Sequence, residues 1–321
     1  MTYFRWALGR LGVAALTLFG VSLLIFAAVR AMPGSYSDLV LGPLATDADK
    51  AAAATRYGLD GSLPEQYAHW LLNAARGDFG ISMASQTPVA TEFADRLPAT
   101  VTLTVLALAV TVLIGVPLGV LTGIRGAGGG RTGRVLGSLG LSLPEFVVGS
   151  LVVFVFTRYG LGLTVGGYVP WDQGPLRSVL SLALPAAVLA VFCTAAVART
   201  TRDAVLGVLV EPHVGAALAR GESAAHIVRH HVLRNAAIPV LTLLATLSAY
   251  LLGGAVIVER LFNTPGLGSF LVDGLDRRDY AIVQAGVLLA ATVFIAVNVL
   301  VDIVCGVIDP RISTRAGRST T

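Results

Sequence analysis

Charge is what this chain has least of. Asp, Glu, Lys and Arg together make up 13% of its 321 residues, about half the roughly 25% with which an ordinary soluble domain faces water. Lysine is represented by Lys50 alone, and the net charge of +4 is too small and too evenly spread for a nucleic-acid partner. Cysteine is nearly missing too. Cys193 and Cys305 both fall in apolar stretches, which argues against a disulfide framework and against a cysteine metal site. The Gly-rich Walker A phosphate loop is absent, which argues against a P-loop nucleotide site in this chain. No Ser-His-Asp or Cys-His arrangement stands out, which leaves an intramembrane enzyme without its catalytic residues.

Apolar residues fill the space that charge leaves. They account for 55% of the chain, with a mean hydropathy of +0.77, so much of the surface must face lipid. A bilayer core of about 30 Å needs roughly 20 apolar residues in a helix. Six stretches qualify, at about 8–30, 100–123, 135–157, 179–198, 237–258 and 281–305. The expected fold class is therefore an all-α integral membrane protein with about six transmembrane helices. Pro185 and Pro239 are read as early-turn prolines of the fourth and fifth spans, where a missing N–H costs nothing. The first run exceeds the roughly 7–15 residues of a signal-peptide core, so a retained span is expected.

Arginines in the short connections set the orientation. Arg5 and Arg10, Arg125 to Arg134, Arg199 to Arg234 and Arg311 to Arg318 mark one face. Both termini and the 199–236 loop are thus expected in the cytoplasm. The acidic segment 32–98 and the loops near 159–178 and 260–280 are expected outside. Within the outer segment, Gln66, Tyr67, Trp70, Leu71 and Leu72 make a stripe on a short helix ending near Gly77, read as a helix lying on the headgroups. Gly115, Gly119 and Gly123 repeat every four residues and predict close helix packing.

Few polar groups enter the spans. Glu145 follows Pro144, eleven residues after Arg134, so at 1.5 Å per residue it lies about 16 Å in. A carboxylate there suggests a polar cavity or a partner, and Glu145 with Pro144 has two readings: it lines a cavity and attracts an ammonium group, or it pairs with a neighbouring helix or serves structure alone. Asp302 and Asn298 share a face of the last span and are expected to bond a neighbouring helix. Glu259 and Arg260 are expected to organise the outer loop, and Pro265-Gly266 is a turn signal that suits a small outer gate. His226 and His230 have i, i+4 spacing, but without a convincing third ligand they are read as part of a solvated basic helix, with no metal.

The most informative stretch runs from Glu211 to Pro239. Gly215, Ala216, Ala217, Ala219 and Gly221 concentrate small residues before a turn, and Ser223 to Leu233 reads as a basic helix. A helix of small residues in a polar loop makes sense as a knob that docks into a groove. The stretch resembles the cytoplasmic coupling loop of permease subunits in binding-protein-dependent ABC importers. With Gly221 as anchor, Ala216 and Ala217 match the family's alanine pair, while Gly215 stands where Glu is usual. His231, Leu233 and Arg234 occupy the Ile, Leu and Pro positions, and Leu233 alone matches there; Arg220 lies between the two parts. Tyr57-Gly-Leu-Asp60, Gly77-Asp-Phe-Gly-Ile-Ser82, Arg96-Leu-Pro-Ala-Thr100, Glu259-Arg-Leu-Phe-Asn-Thr-Pro-Gly-Leu-Gly268, Arg278-Asp-Tyr280, Asn298 with Asp302, and Asp309-Pro-Arg311 are similar to dipeptide and oligopeptide permeases in the same order.

The resemblance implies a type I ABC importer permease, the first of two such subunits. It divides the chain into a first helix (1–31), an extracytoplasmic segment (32–98), a permease core (99–306) with its coupling loop (199–236), and a cytoplasmic tail (307–321). Implied partners are a second homologous permease, two ATPases that carry ATP and Mg, an extracytoplasmic binding protein, and membrane lipid; nucleic acid is not among them. No cofactor is expected in this chain. The implied location is the bacterial cell membrane and the implied cargo a peptide. The same architecture also carries nickel, glutathione or haem in the wider family. A stand-alone secondary transporter would show paired interrupted helices and ion-coupling acids, which are not evident here.

Overall fold

The computed structural model describes residues 2–31, 46–56, 61–125, 140 and 142–308. The Tyr57–Asp60 motif, the Gly-rich turn at 126–134, the start of the third stretch at 135–139, the Asp309-Pro-Arg311 motif and the tail beyond 308 lie outside the described residues. Among the described residues the structure is helical, and its β pairing is an isolated bridge between Ile81 and Pro88. Five helices are long and apolar enough to cross a bilayer: Leu8–Arg30, Val89–Ile124, Ala183–Leu209, Ala224–Leu252 and Tyr280–Cys305.

Helix α1 spans Thr2–Arg30, α2 Asp47–Arg56 and α3 Leu63–Ala75. A capping box starts α3: the Ser62 N–H and hydroxyl both donate to Glu65 Oε2 at 2.8 Å. The aromatic stripe of α3 does not simply lie on headgroups. It packs on α1, with the Tyr67 ring 5.3 Å from Phe26 and its hydroxyl 2.8 Å from Ser22 Oγ. An apolar stripe finds a dry partner in the neighbouring helix, and the buried Ser22 hydroxyl finds a polar one.

Helix α4 runs Val89–Ile124, so residues 89–98 of the expected outer segment are already helical and Pro98 lies within the helix. It pairs with α7, Ala183–Leu209, along the glycine ladder. A Cβ at Gly115 would stand 3.1 Å from the Thr194 carbonyl oxygen; at Gly119, 2.5 Å from Thr201 Cβ; at Gly123, 2.8 Å from Val205 Cγ1. The three glycines therefore set how closely the two backbones approach. Leu103, Leu182, Leu189, Val197, Leu251 and Phe262 centre the adjoining core.

The third expected span is interrupted. After a break at Leu143 and Pro144 it continues as α5, Glu145–Tyr159, which begins after an extended Pro144 (ψ 136°). Proline restricts Leu143 to extended backbone and lacks the N–H a continuing helix needs, so Glu145 opens a helix rather than sitting inside one. The fifth span differs in the opposite sense. After α6 (Pro175–Ser181), α7 and α8 (Pro212–Ala219), helix α9 (Ala224–Ile227) passes through a π-helical turn at Val228–Val232 straight into α10, Leu233–Gly254. The basic stretch is thus the first part of the span, and Pro239 lies inside the helix rather than at an early turn. Short helices α11 (Val256–Leu261) and α12 (Leu267–Asp276) then lead to α13, Tyr280–Ile308.

Candidate docking loop and intramembrane site

Helix α8 owes its position to two side chains. Val214 and Ala217 are buried against Val205, Val208, Ile227, Val232 and Ala236, which fixes one face of the helix to its own chain. The opposite face carries Gly215, Ala216, Leu218 and Ala219 into the open, with Leu218 60% exposed and the neighbouring Val210 84% exposed. The helix closes with a Schellman turn: Gly221 N–H donates to Leu218 O at 3.0 Å and Glu222 N–H to Ala217 O at 3.2 Å. Gly221 takes φ +79° there, the left-handed region that only glycine enters without strain. Two of the expected coupling residues thus serve the chain itself, Ala217 as an anchor and Gly221 as a turn.

The remaining coupling residues separate into two sets. Leu233 and Arg234 are exposed on the first turn of α10. Arg220 and His231 instead converge on Glu222, Arg220 through Oε1 at 2.6 Å and His231 Nε2 through Oε2 at 3.0 Å. The Arg220 guanidinium, and next the His231 ring, hold the Glu222 carboxyl below the usual glutamate range. His226 and His230 stack with ring centroids 4.1 Å apart.

Glu145 is half-buried and accepts a hydrogen bond from the Tyr250 hydroxyl at 2.8 Å, while Pro144 is exposed beside it. The Tyr250 ring lies 5.8 Å from Phe192, nine residues into α7, which places the pair about 14 Å from that helix end. Tyr250 escaped sequence reasoning. The usable signal was the single phenol of α10, in a chain whose one intramembrane carboxylate between the second and fourth spans needs a donor.

Asp302 pairs with Arg10 of α1 at 3.1 Å, while Asn298 Nδ2 donates to its own helix at Phe294 O, 2.8 Å. The two share a helix but not a bond. At the other end, Glu259 is fully buried. It accepts the Thr100 hydroxyl at 2.9 Å and the Ser269 N–H at 2.7 Å, and Thr100 Oγ1 accepts Leu267 N–H at 2.8 Å. Gly266 and Gly268 let this loop close on the carboxylate, since a Cβ at Gly266 would overlap it and one at Gly268 would lie 3.1 Å from Oε2. Pro265 is exposed at the rim. Burial pushes the Glu259 carboxyl above the usual range, against the donors that favour its charge. Asp279, also fully buried, accepts from Ser82 Oγ at 2.7 Å and Ala84 N at 3.1 Å and caps α13 through Ile282 N at 3.3 Å.

The sequence matches two family models, binding-protein-dependent transport system inner membrane component over residues 115–314 and the N-terminal membrane component of such systems over residues 3–104. A probable peptide ABC transporter permease protein of Sinorhizobium fredii is 37% identical over 303 residues, covering 94% of this chain and 96% of the relative. A glutathione transport system permease protein of Escherichia coli is 38% identical over 297 residues (92% and 94%), and a dipeptide transport system permease protein of the same species 36% over 333 residues (96% and 98%). With its long apolar helices and a match over most of its length, the chain belongs to the inner membrane components of binding-protein-dependent transport systems.

Proposed function

We propose that this chain is a pore-forming permease subunit of an ATP-driven importer for di- or oligopeptides delivered by an extracytoplasmic binding protein. The observation that carries the reading is α8, one face fixed by Val214 and Ala217 and the other presenting Gly215, Ala216, Leu218 and Ala219. Such a helix transmits force: it is anchored to the spans and its small free face admits a partner's backbone closely. In this reading the partners are two cytoplasmic ATPases, a second homologous permease and the binding protein. The termini and α8 lie in the cytoplasm, following the arginines, and the Glu259 and Asp279 networks face outward. The chain itself is not an enzyme; ATP and Mg belong to the ATPases.

Peptide cargo is supported by the relatives named for peptide and dipeptide transport. The relative named for glutathione transport is similar to the same degree, so glutathione is the second reading. Within the membrane, Tyr250 orients Glu145 through Oε1, which leaves Oε2 to accept from a substrate α-ammonium. The subunit composition is tested by Leu218→Asp, which puts a charge on the free face and leaves Val214 and Ala217 untouched. The wild-type chain should copurify with two ATPases and a second permease, and the variant should lose the ATPases while keeping its thermal stability. A wild-type chain that purifies alone and still transports contradicts the reading.

A further inference from the structure

The π-helical turn between α9 and α10 brings together side chains that a regular helix would separate. Five residues of α-helix rotate through about 500°, leaving positions i and i+5 roughly 140° apart. A π turn winds in one extra residue, seen here in the Leu233 N–H bond to Val228 O. That added residue swings His231 toward the face of His226. Glu222, just past the Schellman turn of α8, lies between them: its Oε2 is 3.0 Å from His231 Nε2 and 3.8 Å from His226 Nε2. The three ligand atoms all lie within 4.8 Å of one another.

We propose that Glu222, His226 and His231 form a three-ligand site for a divalent transition cation of the zinc class, at the joint between the docking helix and the fifth span. Two imidazoles and a carboxylate suit zinc, with N and O ligands at about 2.0–2.2 Å. Tetrahedral ligands at that radius stand about 3.3 Å apart, which the separations of 3.0 and 3.8 Å bracket. Arg220 occupies Oε1 at 2.6 Å, so the carboxylate binds through Oε2 alone and the guanidinium fixes its direction. The fourth position stays open to water. His213 is held elsewhere, by Glu211 at 3.3 Å and Asn235 at 3.4 Å, and His230 stacks on the His226 ring. A bound ion ties Glu222 to the helix that enters the membrane and stiffens the joint through which α8 moves. The site does not depend on the identity of the transported solute.

The test uses the full chain in nanodiscs, purified without a histidine tag, titrated with Zn2+ by calorimetry and with Co2+ by visible absorption. One ion per chain and a four-coordinate Co2+ spectrum are expected. Since altering groups that merely support a ligand costs roughly 10–100-fold in affinity, Glu222→Gln, His226→Ala and His231→Ala should each weaken Zn2+ binding at least tenfold. His213→Ala, whose ring is held by Glu211 and Asn235, should leave it unchanged, and His230→Ala, which removes only the ring stacked on His226, should weaken it less than any of the three. Absence of saturable binding, an octahedral Co2+ spectrum, affinity that survives His231→Ala, or equal loss with His230→Ala overturns the site. The wild-type Co2+ spectrum decides the matter even where a variant does not fold.

Discussion

The Thr100 hydroxyl donates to the Glu259 carboxylate at 2.9 Å across 159 positions of chain. The same oxygen of Thr100 accepts the Leu267 N–H, so one threonine joins α4 to the first residue of α12. The carboxylate is charged at some cost in this dry position, and its donors offset only part of that cost.

The ionisation of Glu259 therefore marks stability. Its folded pKa is raised by burial above the reference value of 4.5, so the folded state holds the proton longer than the unfolded chain does. The associated stability is complete below the unfolded pKa and is lost as pH rises through the folded one. In detergent, the melting temperature of the wild type should fall more steeply with rising pH across this window than that of Glu259→Gln, which cannot titrate. Parallel pH profiles for the two proteins would contradict the assignment.

Gly266 is a space requirement rather than a conformational one. Its φ of −95° suits any residue, but a Cβ would collide with the Glu259 carboxylate. Gly266→Ala should destabilise the chain by about 1–3 kcal/mol, read as a lower midpoint in denaturant. Gly207→Ala, in the last turn of α7 with nothing within 4 Å, should be neutral or stabilising.

The glycine ladder makes a second packing prediction. Gly119→Ala forces a methyl to within 2.5 Å of Thr201 Cβ and should also cost about 1–3 kcal/mol. Gly20→Ala in α1, where nothing lies within 4 Å, is the matched control. Equal effects from both would show that the contact between α4 and α7 is looser than the geometry states.

At the turn after α8 the constraint is conformational. Nothing lies within 4 Å of a Cβ at Gly221, yet φ is +79°. Gly221→Ala should cost about 1 kcal/mol through the left-handed backbone and should lower ATPase stimulation more than it lowers the melting temperature.

Tyr250→Phe removes the donor that orients Glu145. If Oε2 receives a substrate ammonium, both Tyr250→Phe and Glu145→Gln should raise the KM for peptides with a free N-terminus several-fold. N-acetylated peptides should show no such change. An equal change for both peptide classes would assign the pair to structure alone.

Much of this was legible in the sequence because lipid imposes a simple rule: long apolar runs with few charges become spans, and five of the six expected runs are long apolar helices. Pro144 was legible as well, but its consequence, a fresh helix start at Glu145, needed the backbone. The basic helix at Ser223–Leu233 was legible, but its continuity with the span was hidden because its charge assigned it to the cytoplasmic loop and the apolar run begins only near 237. The pairing of His226 with His231 depends on a π turn, so regular helical spacing pointed to His230 instead. Asp279 and Ser82 stand 197 positions apart, and no periodicity links them.

The central claim is tested most directly by uptake of labelled di- to hexapeptides into proteoliposomes that contain this chain with its second permease, ATPases and binding protein. The account predicts uptake that requires ATP and vanishes when the binding protein is omitted. Peptide uptake that persists without ATP or binding protein contradicts the importer assignment, and binding-protein-dependent hydrolysis with uptake of a different solute contradicts the peptide assignment.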